Sequence, residues 1–170
     1  LLKAPGNEVV TRMAEAAGAA KGDAVLIVAG KPEVVAASLG ALRNEVARRE
    51  KLIPEGMYAP LWVTEFPMFE FHEDDGRYYS MHHPFTSPLD EDVPLLERAV
   101  SGETQLFAAL RAKAYDAVIN GVEVAGGSIR IHRSDVQSVV FKALGMTEET
   151  ARARFGFFLD ALSYGTPPHG

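Results

Sequence analysis

The sequence predicts an α+β fold in which an α-β-α segment precedes an antiparallel sheet accompanied by helices. Three observations predict this class. A continuous apolar run, residues 24–29, lies between two helix-like stretches, the dipeptide Asn120-Gly121 separates two β-branched stretches, and two helical patterns follow residue 134. Asn-Gly supplies the two positive-φ residues that a type I′ hairpin turn requires. The second part of the chain is therefore expected to be built around this hairpin.

The composition is that of a folded protein. The 170 residues are 47% hydrophobic and 24% charged, which excludes disorder and a collagen-like fibre. The chain has no cysteine, so disulfides, thiolate zinc sites and cysteine nucleophiles are excluded. The longest apolar run, residues 24–29, is too short to span a membrane, and the first residues lack the apolar core of a secretory signal. A cytoplasmic location is the expectation.

The charge balance is acidic. The chain has 17 Lys and Arg residues and 23 Asp and Glu residues, for a net charge of −6. The longest basic block is the pair Arg48-Arg49. Such a surface attracts phosphate weakly, so this stretch is not expected to be a principal nucleic-acid-binding surface. A catalytic site that contacts one RNA end remains compatible with this balance.

The first elements form the α-β-α segment. Residues 7–20 are predicted as a helix with Asn7 as its cap, and residues 24–29 as a buried strand. Pro32 opens a second helix, because the missing amide is harmless in the first turn. Prolines and a glycine between residues 52 and 60 indicate a domain boundary. We place one domain at residues 1–53 and the next at residues 54–170.

The second domain begins with strand signals. Residues 61–64 are predicted as a strand that Pro67 ends, with residues 78–81 as its partner and residues 73–76 as the turn between them. The remaining predictions are a loop over 84–94, partly helical structure over 92–110, hairpin strands over 115–119 and 122–124, a strand over 128–132, and helices over 135–144 and 147–164. Gly145 and Gly165 are expected to end the two helices.

The hairpin carries a candidate ligand site. Ser128, Arg130 and His132 share one face of a regular strand. Glu123 lies seven positions before Arg130, which would place the two on opposite faces. A bulge within residues 125–127 would restore the parity, and paired glycines often mark such a bulge. We therefore predict that Glu123 and Arg130 face one ligand; spacing alone also allows an exposed hairpin with a surface salt bridge.

A second candidate is the segment His82-His83-Pro84. Adjacent histidines in an extended chain point apart, so at most one is expected to reach a given ligand. A metal site would group His82 with His132 and a carboxylate, but no closely spaced ligand pair supports it. A substrate-lining loop fits the position after a strand, and a structural histidine pair is the alternative.

Four ordered blocks resemble one enzyme family. They are LWVTEFPMFE, MHHPFTSP, AYDAVINGVEVAGGSIRIH and FGFFLDALSYGTPPHG. Together they make residues 58–170 similar to the bacterial-type aspartyl-tRNA synthetases. Residues 1 to about 53 resemble the end of the domain that bacterial members insert into their catalytic domain. The family usually has three glycines where this chain has Ala125-Gly126-Gly127.

The resemblance implies a class II synthetase fold, with an antiparallel sheet flanked by helices, in a homodimer. It implies activation of L-aspartate with Mg-ATP to aspartyl-adenylate and transfer to tRNA(Asp), with tRNA(Asn) as a second candidate. His82, with His83 beside it, matches an aspartate-binding position, and Arg130 matches the arginine that holds the side-chain carboxylate. Glu123 matches an acidic residue that binds ATP through Mg²⁺. No side chain in this set is a nucleophile, so orientation and electrostatics carry the catalysis.

The resemblance also implies that several family segments lie outside these residues. The dimer-forming segment, the first and last ATP-binding arginines and the anticodon-binding barrel are not matched. The isolated chain is therefore expected to be unable to make aspartyl-adenylate. Two alternatives stay open at this stage. One is a noncatalytic, synthetase-like, tRNA-associated binding module, and the other is a metal hydrolase that uses His82 and His132.

Overall fold

The computed structural model describes residues 6–170 and divides the chain into two compact units, Leu1–Met57 and Tyr58–Gly170. The division after residue 53 that the sequence indicates lies in the same irregular segment as the observed one. The assignment of the first unit to an inserted domain stays a prediction. Within residues 6–170, no helix combines the length and the apolar character needed to cross a membrane.

Within residues 6–57 the structure has two helices, α1 (Asn7–Ala16) and α2 (Pro32–Arg49). Pro32 opens α2 as predicted. The predicted first helix is confirmed but ends four residues before residue 20. The N-cap of α1 is Gly6 and not Asn7 as predicted. The carbonyl of Gly6 accepts hydrogen bonds from the amides of Val9 and Val10.

The predicted strand over residues 24–29 is wrong. This segment has no regular secondary structure and pairs with no strand in the described part of the chain. Leu26 and Ile27 are 57% and 61% exposed. An apolar, β-branched run favours a strand only when a neighbouring strand accepts its backbone hydrogen bonds and another layer covers its side chains. Residues 6–57 supply neither.

The second unit contains five strands: β1 (Pro60–Pro67), β2 (Phe69–His72), β3 (Arg77–Ser80), β4 (Arg111–Ile119) and β5 (Val122–Ser128). Strands β1, β4 and β5 form an antiparallel sheet in the order β1-β4-β5. The predicted pairing of residues 61–64 with residues 78–81 is wrong. Residues 73–76 do form a turn, but they join β2 to β3, because a new strand begins at Phe69 immediately after β1.

The helices of the second unit are α3 (Val93–Val100), α4 (Ser134–Ala143) and α5 (Glu148–Ser163). The last two match the predictions within one residue at each end, and Gly145 and Gly165 follow them with φ of 73° and 88°. Thr147 caps α5 by accepting a hydrogen bond from the amide of Thr150. The predicted loop is irregular up to a 3₁₀ turn at Asp90–Asp92, and a second 3₁₀ segment covers Thr104–Ala109.

One apolar core joins these elements. Leu96 of α3, Val140 of α4 and Ile131 of the segment after β5 are almost fully buried, and Phe69 and Ala112 bring the strands into the same cluster. Burying such side chains stabilises the fold by roughly 1.5–3 kcal/mol each. The α+β prediction with antiparallel sheets and flanking helices is thus confirmed. The core holds the hairpin and the segment after it against α3 and α4.

Candidate functional site

The hairpin β4–β5 has the predicted turn and a bulge. Asn120 and Gly121 have φ of 52° and 81°, as a type I′ turn requires. Val118 pairs with Glu123, whereas Ala117 pairs with Ala125, so Val124 is the extra residue. The bulge therefore exists but lies at Val124 and not within residues 125–127. It changes the parity of the strand between Glu123 and Arg130, as the sequence argument requires.

An open cavity of about 330 Å³ lies beside the hairpin. It is lined by Glu123 and Arg130 and by both histidines of the 82–83 pair. The remaining lining residues are Asp116, Gly126, Gly127 and Ser128. The structure therefore brings together the four residues that the family resemblance assigns to aspartate or ATP binding, whereas His132 is not among them.

Arg130 presents a guanidinium without a carboxylate partner. Its Nη1 donates to Thr86 Oγ1 at 3.3 Å, and its backbone amide donates to the carbonyl of His169 at 2.7 Å. In the described part of the chain, Arg130 forms no ion pair. A half-buried arginine that is oriented by a hydroxyl and a backbone contact has donors left to bind an external anion in parallel.

The predicted strand over residues 128–132 is regular only at its start. β5 ends at Ser128, and Arg130 forms an isolated bridge with Thr86. The amide of Ile131 donates to the carbonyl of Phe85, which turns the chain away from β4 and towards the loop after the histidines. His132 consequently lines a different, small crevice and not the cavity of Arg130.

Both histidines line the cavity, and the expectation that at most one of them reaches a given ligand stays a prediction. The chain bends at residues 81 and 82 instead of remaining extended. The amide of Phe85 donates to His83 Nδ1 at 3.3 Å, which leaves the proton of the neutral ring on Nε2. Burial and then the positive charge of Arg130 lower the pKa of His83. The ring is therefore a neutral hydrogen-bond donor at neutral pH.

Asp116 is a site residue that the sequence analysis missed. It pairs with Gly126 across the hairpin, and an added Cβ on Gly126 would lie 2.6 Å from Asp116 Oδ1 and 3.1 Å from Glu123 Oε1. The two carboxylates therefore lie against the same glycine. The hairpin register was the available signal, since Asp116 and Glu123 occupy paired strands near a turn whose position was known.

Gln137 is a second residue without a sequence signal. It is fully buried in α4, and its Nε2 donates to the carbonyl of Pro84 at 2.9 Å. Pro84 directly follows the histidine pair. A buried hydrogen bond of this kind is costly to leave unmade, so Gln137 fixes the loop that carries His82 and His83.

The metal-hydrolase alternative is wrong on geometry. His82 and His132 line separate cavities, and residues 6–170 contain no group of three or more metal-ligating side chains that could hold a metal ion. Two carboxylates beside an open cavity are instead the donor set that Mg²⁺ uses together with substrate phosphates.

Comparison with known proteins gives one consistent family. A family model of class II tRNA synthetases (D, K and N) matches residues 12–170. An aspartate–tRNA(Asp/Asn) ligase of Halothermothrix orenii is 53% identical over 156 residues, which are 92% of this chain and 25% of that protein. Aspartate–tRNA ligases of Lysinibacillus sphaericus and Listeria monocytogenes serotype 4b are 52% and 50% identical over 91% and 96% of this chain.

The chain spans about a quarter of the length of these curated relatives. The predicted resemblance to bacterial aspartyl-tRNA synthetases is confirmed. The match and the fold agree, because the antiparallel sheet and its flanking helices are those expected of this class. The chain belongs to the class II tRNA synthetases of the D, K and N group.

Proposed function

We propose that these residues are part of an aspartate–tRNA ligase. The enzyme activates L-aspartate with ATP and transfers the aspartyl group to the 3′-terminal ribose of tRNA. The relatives' names support this assignment. The observation that carries it is the cavity in which an unpaired Arg130 faces the same space as Glu123, His82 and His83.

Arg130 is the residue that selects the amino acid. A planar guanidinium binds a carboxylate through two parallel hydrogen bonds, a geometry that lysine does not reproduce. Asparagine would present an amide NH₂ to one of these donors and leave it unsatisfied. The lack of an internal carboxylate partner for Arg130 supports its role as receptor for the side-chain carboxylate of aspartate.

His82 and His83 complete the aspartate-binding site. The neutral His83 ring carries a proton on Nε2, so it donates a hydrogen bond to a substrate oxygen without adding a second positive charge beside Arg130. His82 lies at the same cavity with its ring edge-to-face against Phe66, at a centroid distance of 4.9 Å. Gln137 fixes the loop that carries both histidines through its hydrogen bond to the carbonyl of Pro84.

Glu123 and Asp116 form the magnesium side of the site. Neither carboxylate forms an ion pair in the described part of the chain, and their oxygens converge on Gly126. Hard oxygen donors of this type fit Mg²⁺, which accepts one or two protein carboxylates and fills its remaining positions with phosphate oxygens and water. When bound with ATP, Mg²⁺ neutralises phosphate charge and orients the phosphates.

The chain's residues then act by orientation and charge. An oxygen of the α-carboxylate of aspartate attacks the α-phosphorus of ATP and expels pyrophosphate. A ribose hydroxyl of tRNA next attacks the activated carbonyl and expels AMP. The substrate supplies the nucleophile in both steps, so the protein's contribution is positioning and electrostatic stabilisation. We further propose a cytoplasmic homodimer that charges tRNA(Asp), with tRNA(Asn) as the additional substrate to be tested.

The test is Arg130→Lys in the full-length ligase that contains these residues. Loss of a two-bond charged contact costs about 1.5–3 kcal/mol, so the KM for aspartate in ATP–pyrophosphate exchange should rise by roughly 10- to 150-fold. The KM for ATP should change by less than about twofold. Arg133→Lys is the matched control, because Arg133 pairs with Asp135 and lies outside this cavity.

Equal losses for aspartate and ATP would contradict the assigned role of Arg130. Wild-type kinetics for Arg130→Lys would contradict it as well. A full-length protein that shows no aspartate-dependent exchange would overturn the enzyme assignment and favour the noncatalytic tRNA-associated module.

A further inference from the structure

A second cavity adjoins the aspartate cavity at His82. It measures about 320 Å³ and is lined by two arginines from separate elements, Arg77 at the start of β3 and Arg154 in α5. His82 is the residue that the two cavities have in common. Leu144 and Met146 supply an apolar wall. The space therefore opens directly beside the group that holds the amino acid.

The electrostatics of this second cavity differ from those of the chain as a whole. No carboxylate lines it among the described residues, although the chain carries 23 acidic residues and a net charge of −6. Arg154 forms no ion pair within residues 6–170. Two cationic side chains in one acid-free cavity create a local positive potential that an otherwise acidic surface lacks.

Arg77 is held in place by a tyrosine. Its Nε donates to the Tyr79 hydroxyl at 2.6 Å, and its guanidinium lies 4.6 Å from the centre of the Tyr79 ring. The Tyr79 hydroxyl in turn donates to Asp75 at 2.6 Å, so Asp75 bonds to the tyrosine and not to Arg77. The arginine is oriented without a direct ion pair to Asp75, and its remaining donors are available to an anion.

We infer that this cavity binds a phosphate of the single-stranded 3′ end of tRNA. The inference rests on the proposed function, which requires that end to reach the aspartyl group beside His82. Two guanidinium groups are a suitable receptor for a phosphodiester. ATP is the other source of phosphate, but the carboxylates assigned to its magnesium, Asp116 and Glu123, line the first cavity and not the second.

A neighbouring basic cavity shows what distinguishes this one. The space between α4 and α5 contains Lys142 and Arg152, but it also contains Glu148, and Arg152 pairs with Asp160 at 2.7 Å. Arg152 therefore has an ion-pair partner within the chain, whereas Arg154, two residues later in the same helix, forms no ion pair within residues 6–170. This pair of arginines provides a variant and its matched control.

The experiment compares Arg154→Gln with Arg152→Gln in the full-length ligase. Arg154→Gln should raise the KM for tRNA in aminoacylation by about tenfold, as expected for loss of a contact worth about 1.4 kcal/mol. The slope of log affinity for tRNA against log salt concentration should fall by about 0.7, one phosphate contact on a single strand. Arg152→Gln should change neither quantity, and Arg77→Gln should reproduce the effect of Arg154→Gln.

Pyrophosphate exchange separates this inference from the proposed function. Exchange needs aspartate and ATP but no tRNA, so Arg154→Gln should leave it unchanged. A raised KM for ATP in exchange would assign the phosphate to ATP and overturn the tRNA inference. An effect on tRNA no larger than that of Arg152→Gln would also overturn it. In both cases aspartate-dependent exchange by the wild-type enzyme would still support the ligase assignment. Thermal melting of Arg154→Gln, compared with Arg154→Lys, shows whether each variant is folded.

Discussion

The two units of this chain contain similar apolar side chains but bury them to different extents. In the second unit Leu96, Val140 and Ile131 are almost fully buried in one core. In the first unit, neither α1 nor α2 contains a buried residue, and Leu26, Ile27 and Leu39 are all exposed. Apolar content therefore does not by itself create a core. A layer that covers the apolar face is also required, and residues 6–57 do not provide one.

The largest expected effect tests this difference directly. Leu96→Ala removes a fully buried side chain and should lower the free energy of unfolding by about 2–5 kcal/mol. Leu26→Ala removes a side chain that is mostly exposed and should change the free energy of unfolding by less than about 0.5 kcal/mol. Urea unfolding of the 170-residue chain, followed by far-ultraviolet circular dichroism, measures both. Comparable losses for the two variants would show that the first unit has a core of its own.

The same difference explains which elements the sequence could predict. The backbone hydrogen bonds of a helix form within the helix, so α2, α4 and α5 follow from local signals such as Pro32 and the glycines that end α4 and α5, whether or not the helix is buried. A strand needs a partner elsewhere in the chain. The run over residues 24–29 has strand-like composition but no partner, and β1 pairs with β4, about fifty positions away, instead of with the nearby β3.

The site was predictable to the extent that it depends on local geometry. The Asn120-Gly121 turn fixes the hairpin, and the parity argument correctly required a bulge, although the extra residue is Val124. Asp116 was missed because only the cross-strand register brings it to Glu123. Gln137 was missed because its contact with Pro84 joins a helix to a loop 53 positions away, and no local pattern encodes such a contact.

A second, smaller effect compares ion pairs in the two units. Hydrogen bonds from Arg111 lower the pKa of the nearly buried Asp92, whereas Glu45 pairs with Arg48 and Arg49 on an exposed helix surface. Asp92→Asn should cost about 1.5–3 kcal/mol of unfolding free energy near neutral pH. Glu45→Gln should have no measurable effect at moderate salt, because exposed pairs are screened.

The pH dependence gives the sign of the Asp92 contribution. Its folded pKa lies below the unfolded value of about 3.9, so the stabilisation is present above that pH and is lost as the pH falls through the folded pKa. The difference in unfolding free energy between wild type and Asp92→Asn should therefore shrink below about pH 4. Urea titrations over acidic and neutral pH measure it. A difference that stays constant down to the lowest pH would exclude an ionised Asp92 as the cause.

The smallest effect contrasts two glycines, one in each unit. Gly40 lies inside α2 with open space where a Cβ would point, so Gly40→Ala should stabilise the chain by about 0.5–1 kcal/mol through helix propensity. Gly126→Ala would place a Cβ 2.6 Å from Asp116 Oδ1. That oxygen is the end of a side chain that can rotate, so the carboxylate should move aside and the free energy of unfolding should change by less than about 0.5 kcal/mol. Thermal melting of both variants provides the measurement. A loss of more than about 1 kcal/mol for Gly126→Ala would instead show that the Asp116 carboxylate is held rigidly against this glycine.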